Sequence, residues 1–371
     1  MKTARAVRGV AGLRAGLLAI AAVLAGCSSS YLPYTTETTP MVLLPLSVAG
    51  VGDQRGRFRE IFCAVLEARV DELPDIRPCE SALSLVGLEP PGSGRPVPLG
   101  AGRRPLTIAF VPGVGWNCVE EWLEPADVSL GNLRRFGYDG AFVRVDALSS
   151  GAVNARQIRD WVLAYAERSP ERELVLAGYS KGGPDVLRAV VDYPEILPHV
   201  TAVVSLAGSV GGSPLANNAT QSQLDLLTLW PGADCDEGDG EALDSLTPER
   251  RRRWLAANPL PEGLPYYSVV TYPDPDRISS VLRTTWRRLA KIDGRNDSQV
   301  LFYDQIVPGS SLVAYLNADH WAVAVPVSRS HKLLGSLLVN RNDYPREALI
   351  EALARFIDED LDGRAGAAAD R

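Results

Sequence analysis

The chain has 371 residues, 46% of them hydrophobic and 22% charged, and a formal charge of −7. That size and balance suit a globular protein with a sizeable core and exclude a disordered or fibrous one. The acidic charge argues against nucleic acid as a partner. The three histidines (His199, His320, His331) lie too far apart for metal-ligand spacing.

Residues 1–26 read as a leader and not as part of the fold. Lys2, Arg5, Arg8 and Arg14 make a basic start, and residues 17–24 an apolar core too short to span a bilayer. The leader ends in Leu24-Ala25-Gly26-Cys27, which resembles the lipobox of bacterial lipoproteins. The resemblance implies that Cys27 becomes the mature N-terminus and carries the lipid, with residues 27–50 as a lipidated tether. The expected location is an exported protein, lipid-anchored on the periplasmic or outer-surface side of a bacterial membrane.

Residues 51–105 read as a helical and irregular extension: a helix over 58–70, then a Pro/Gly-rich segment over 89–105. Four cysteines remain beyond the leader, Cys63, Cys79, Cys118 and Cys235, and an even number in an exported chain permits two disulfides. Cys63–Cys79 is the expected pair, because the chain turns back after the helix through Pro74 and Pro78. The other two read equally well as free buried thiols.

From residue 106 the rhythm changes. Apolar runs at 106–111, 141–145, 174–177, 200–207, 266–272 and 312–316 alternate with amphipathic stretches such as 155–167 and 184–191. Strands separated by helices require right-handed crossovers, hence a mostly parallel sheet with helices on both faces over 106–360. One segment, 217–263, breaks the alternation with leucine-rich, acidic and arginine-rich pieces. It reads as a lid or cap insertion over the carboxyl ends of the strands, or as a surface excursion. Residues 361–371 are expected to form a disordered tail.

The most informative motif is Gly178-Tyr179-Ser180-Lys181-Gly182, between an apolar run and a helical stretch. Strand, sharp turn and helix hold the serine hydroxyl clear of the backbone, and the flanking glycines relieve the crowding that so tight a turn creates. A serine hydroxyl becomes a nucleophile only when a base takes its proton and a carboxylate orients the base. His320, in a polar turn after the last strand, stands where that base belongs. His199 precedes a strand at the opposite edge of the sheet, and His331 lies in a polar stretch further on. The acid stays open by position alone: Asp274, Asp276, Asp297, Asp304 and Asp319 all follow the serine, and Asp274 would lie at the end of a strand.

From residue 106 onward the chain resembles the α/β-hydrolase superfamily, specifically its bacterial lipase- and esterase-like members. The elbow at Ser180 carries that resemblance, together with Val203-Val204-Ser205-Leu206-Ala207-Gly208 and Gly211-Gly212-Ser213-Pro214. Asn296-Asp297 with Val300, and Asp319-His320, are similar to the family's acid and histidine loops. The resemblance implies an α/β-hydrolase fold and Asp297 as the acid, with Ser298 where the family usually has glycine. It also implies an oxyanion hole formed by the amides of Lys181 and Val114, the latter in Pro112-Gly113-Val114-Gly115-Trp116. The Lys181 side chain is expected to extend to solvent or to meet an acidic substrate group. Trp116 and Trp321 are expected in an acyl pocket or in the core. The reading is a lipid-anchored serine hydrolase acting on an acyl-ester or lipid, without a cofactor. The same triad also serves amide, peptide or thioester hydrolysis, and the fold can serve as a non-catalytic binding module.

Overall fold

The computed structural model describes residues 49–369 except 120–129, 147, 219–237, 331, 338 and 342. The leader, Cys27, Cys235, His331 and most of the first half of the expected lid therefore lie outside the described residues.

Seven strands form one sheet: β1 (Gly52–Asp53), β2 (Leu106–Val111), β3 (Asp139–Phe142), β4 (Glu173–Tyr179), β5 (Val200–Leu206), β6 (Tyr266–Thr271) and β7 (Ser311–Leu316). Their order is β1-β7-β6-β5-β4-β2-β3, and every pair runs parallel. The strands are near-continuous runs of Val, Leu, Ile and Ala because both faces of a parallel sheet are covered. The expected strand at 141–145 begins two residues earlier. Gly137, with φ +80°, ends the preceding turn, and pairing with β2 stops where Val143 N–H donates to Phe110 O at 2.9 Å.

Four helices supply the covering layers. On one face, α2 (Gly151–Arg168) and α3 (Gly182–Asp192) bury Ile158, Val162, Val186, Leu187 and Val190 against Val111, Leu174, Leu176 and Val203. On the other, α1 (Arg55–Ala68) and the long C-terminal helix (Arg346–Ala369) pack together over Ile108, Val175, Val204 and Val313. Phe58 stacks on Phe62 at 5.9 Å and meets Phe356 edge-on at 6.0 Å. Arg57 pairs with Glu359 at 2.7 Å across the same seam, and Arg69 with Glu351 at 3.2 Å.

Residues 51–105 are thus not an extension. They contribute an edge strand and a core helix, whose partner surface lies almost three hundred residues away in sequence. The helix Arg346–Ala369 likewise continues through most of the stretch expected as a disordered tail. Cys63 and Cys79 form the expected disulfide, with Cα atoms 5.3 Å apart. Cys118 is disulfide-bonded too, so the free-thiol alternative fails there. The described part of the insertion includes a helix over Pro248–Ala257, whose Arg251 donates to Val210 O at 3.1 Å. Among the described residues no helix is long and apolar enough to cross a membrane.

Candidate active site

At the end of β4 the backbone of Ser180 turns to φ +54°, a left-handed conformation that L-residues rarely adopt. The two glycines are what permit it. A Cβ on Gly178 would stand 2.3 Å from Gly182 O, and one on Gly182 would stand 2.2 Å from Val111 O. The elbow is held further by Ser180 N–H donating to Leu206 O (3.2 Å) and by Ser209 N–H donating to Ser180 O (3.0 Å). The hydroxyl is left at the top of the sheet, half-buried.

The turn after β7 brings His320 to it. Nε2 of His320 lies 2.9 Å from Ser180 Oγ, and Nδ1 lies 2.7 Å from Asp297 Oδ2. A carboxylate only accepts, so Nδ1 carries the proton and Nε2 is free to accept the serine's. The backbone of His320 is fixed from two sides. Its N–H donates to Asp297 O at 3.0 Å, and Tyr179 OH donates to its carbonyl oxygen at 2.8 Å.

Asp297 is fully buried, and its carboxylate accepts five hydrogen bonds. Oδ1 takes the N–H groups of Gln299 (2.9 Å) and Val300 (2.7 Å). Oδ2 takes Thr271 Oγ1 (2.5 Å), Gln305 Nε2 (3.2 Å) and the His320 ring. The other acids are engaged elsewhere. Asp274 forms a closed pair with Asn317: its N–H donates to Oδ1, and Asn317 Nδ2 donates to its Oδ2, both at 2.8 Å. Asp319, whose carboxyl burial pushes up, accepts from the N–H groups of Ser279 (2.8 Å), Trp321 (3.1 Å) and Ala322 (3.0 Å) and so shapes the histidine turn. Asp276 is exposed and Asp304 buried, neither near His320 by any hydrogen bond. His199 ends the turn that leads into the amino end of β5.

The loop after β2 lies directly against the serine. A Cβ on Gly113 would stand 2.8 Å from Ser180 Cβ and 3.2 Å from its Oγ. Neither the N–H of Val114 nor that of Lys181 donates a hydrogen bond among the described residues. Trp116 is buried among Phe110, Phe142 and Tyr179 at 5.4 to 6.3 Å. It also lines an apolar pocket with Phe110, Ala177, Leu206 and Val323, so the core and pocket readings both apply. Trp321 is half-buried.

The Lys181 side chain corrects the sequence reading. It reaches neither solvent nor an open substrate site: it is 1% exposed, with Nζ 2.6 Å from Asp185 Oδ2. The signal was in the sequence, since Asp185 stands four positions on from Lys181, where helix geometry brings the two side chains together. Thr271, Gln305 and Tyr179 were not anticipated. Thr271 is a polar residue closing an apolar strand, which is a legible hint; nothing local marks Gln305.

No family model matches the sequence, and no curated protein sequence matches it. Among solved structures, the chain is similar to the metagenomic carboxyl esterase MGS0156. The two share 39% identity over 87% of this chain and 97% of that one, with a TM-score of 0.81. Looser likenesses are the mature lipase BlEst2 of Bacillus licheniformis (20% identity; 66% of this chain, 95% of that one) and EstA of Clostridium botulinum (12%; 81% and 97%). Both have a TM-score of 0.49, and at that distance the likeness says nothing about the site.

Proposed function

The chain belongs to the carboxylesterase and lipase group of the α/β-hydrolases, and on that premise we propose that it cleaves esters through Ser180, His320 and Asp297. The observation that carries this is the unbroken chain of contacts from Asp297 through His320 to Ser180, at 2.7 and 2.9 Å. Ser180 Oγ attacks the ester carbonyl carbon as His320 Nε2 takes its proton. The tetrahedral oxyanion is received by the N–H groups of Lys181 and Val114. The C–O bond to the alcohol then breaks, with His320 returning the proton to the leaving oxygen. Water repeats the sequence on the acyl-enzyme and releases the acid. Asp297 holds the ring in the tautomer this requires.

The helix macrodipole of Gly182–Asp192 adds favourable potential at the oxyanion, since Lys181 caps its N-terminus. The apolar pocket beside Trp116 supports an acyl group as the part of the substrate that is buried. The lipobox-like ending at Cys27 supports an exported enzyme anchored by lipid to a bacterial membrane, acting on acyl-esters or lipids at that surface.

A fluorophosphonate probe tests the mechanism. Stoichiometric labelling of Ser180 is expected in the wild type, with labelling slowed by at least about 10³ in His320→Ala. A folded wild type that stays unlabelled would overturn the reading. A matched ester and amide of one acyl group then separate esterase from amidase.

A further inference from the structure

We propose that the buried Lys181–Asp185 pair is a positioning device that aims the Lys181 amide at the oxyanion. This rests on the reading of Ser180 as nucleophile and adds a role for a side chain that takes no part in the chemistry itself.

Three observations converge on it. Both side chains are almost completely buried, at 1% and 2% exposure, and meet at 2.6 Å. Asp185 Oδ2 also accepts from Asn154 Nδ2 of α2 at 2.7 Å, and Asp185 Oδ1 lies close over Gly151 at the start of the same helix. That helix start is clamped from the far side as well. Asp239, at the return of the insertion, accepts from Ser150 N–H at 2.8 Å, and its own N–H donates to Ser149 Oγ at 3.2 Å. Burial raises the Asp239 carboxyl, but hydrogen bonds from Ser150 and from the Glu241 N–H outweigh it and hold it low, with a smaller contribution from the charge of Lys181. Lys181 is therefore tied through Asp185 to α2, whose start the insertion in turn holds in place.

A buried ion pair is a poor way to add stability, because desolvating two charges consumes most of the attraction gained. A methionine and a leucine would fill similar space with little loss from the pair itself, the one cost being the Asn154 amide left without its acceptor. What the pair supplies is direction, and the elbow needs it. Ser180 sits at φ +54° while Lys181 is already helical at φ −58°, ψ −31°. A non-glycine residue in the left-handed region is strained and persists only when its surroundings hold it there. The easiest relaxation is rotation of the Ser180–Lys181 peptide plane, and that rotation turns the Lys181 N–H away from the oxyanion. Anchoring the side chain of Lys181 one helical turn along opposes it.

The test uses the full chain with Lys181→Met, Lys181→Met/Asp185→Leu and Asn154→Leu. Each is measured by melting temperature, by kcat and KM on a short ester per fluorophosphonate-titrated serine, and by the rate ratio between that ester and its thiono analogue. Lys181→Met alone leaves a buried carboxylate and is expected to lose stability. The double variant is expected to regain it while kcat stays roughly 10- to 100-fold down, KM stays within about twofold, and the oxygen-over-sulfur preference shrinks. A double variant with wild-type kcat per titrated serine would overturn the proposal and reduce the pair to charge balance. If the double variant fails to fold, Asn154→Leu decides. A fall in kcat of about three- to tenfold at constant KM supports positioning, whereas lost melting temperature with unchanged kcat and thiono ratio overturns it. A wild type unlabelled at Ser180 would refute the proposed function instead, so the two failures are distinct.

Discussion

Two buried carboxylates stand seven residues apart on the segment between β6 and β7, and they live in opposite environments. Asp297 accepts five hydrogen bonds, from two backbone N–H groups, a threonine, a glutamine and the His320 ring. The Asp304 carboxyl accepts none among the described residues, and burial pushes it up to about 7 despite the attraction of Arg252. Depth is similar; the supply of donors is not. A buried carboxylate is made useful by the dipoles already aimed at it, and without them burial simply favours its neutral form. The site's acid is therefore recognised by its donors rather than by its position along the chain.

The comparison is broken most severely at Asp297. Asp297→Asn keeps the oxygen that takes the Gln299 and Val300 amides but no longer fixes the His320 tautomer. We expect kcat on a soluble ester to fall by about 10³- to 10⁴-fold with the fold intact by circular dichroism. A fall of less than tenfold would mean that another group orients the ring. Asp304→Asn acts on stability. The folded carboxyl holds its proton to about pH 7, whereas the unfolded one releases it near its ordinary 3.8. Folding thus binds a proton across that window, and wild-type stability falls as pH rises from about 4 to about 7. The amide removes this loss: the melting temperature at pH 8 should rise by the equivalent of roughly a few kcal/mol, and the gain should shrink towards pH 4. Equal melting temperatures at pH 8 would show that Asp304 is solvated. Smallest is Ser298→Gly, beside Asp297. Ser298 is buried at φ +83° with its hydroxyl bonded only to the neighbouring Asp297 carbonyl. Relief of a left-handed residue is worth about 1–2 kcal/mol and the added chain freedom of glycine costs about 0.5–1, so a net gain of about 0.5 kcal/mol is expected in urea unfolding. Destabilisation by more than about 1 kcal/mol would mean that the hydroxyl matters more than the strain.

Much of the sheet was legible because parallel strands are buried on both faces and announce themselves as unbroken apolar runs. Five of the six expected strands fall within two residues of their observed ends, and the sixth begins two residues early. The elbow was legible for a different reason: only glycine fits at Gly178 and Gly182. Its acid was legible only through the resemblance and not by position, since Asp274 and Asp297 differ by which neighbour reaches them, and Asn317 closing on Asp274 is a contact between β6 and β7 loops. β1 is two residues long, too short for any periodicity to reveal. The Lys181 ammonium was misjudged because a lysine beside a reactive serine looks like a surface group until the buried face of the helix, with Asp185 on it, is seen to receive it.

The seam between Arg55–Ala68 and Arg346–Ala369 carries a further implication for how the molecule comes into being. Phe58 and Phe62 of Arg55–Ala68 are covered by a helix almost three hundred residues further along the chain. Contacts of such long sequence separation close late, after most of the chain's loop entropy has been surrendered. A nascent chain that already holds Ser180, Asp297 and His320 still lacks the layer that supports one face of the sheet beneath them. The Phe58–Phe356 contact is therefore expected to be among the last to form, and the support beneath the site with it.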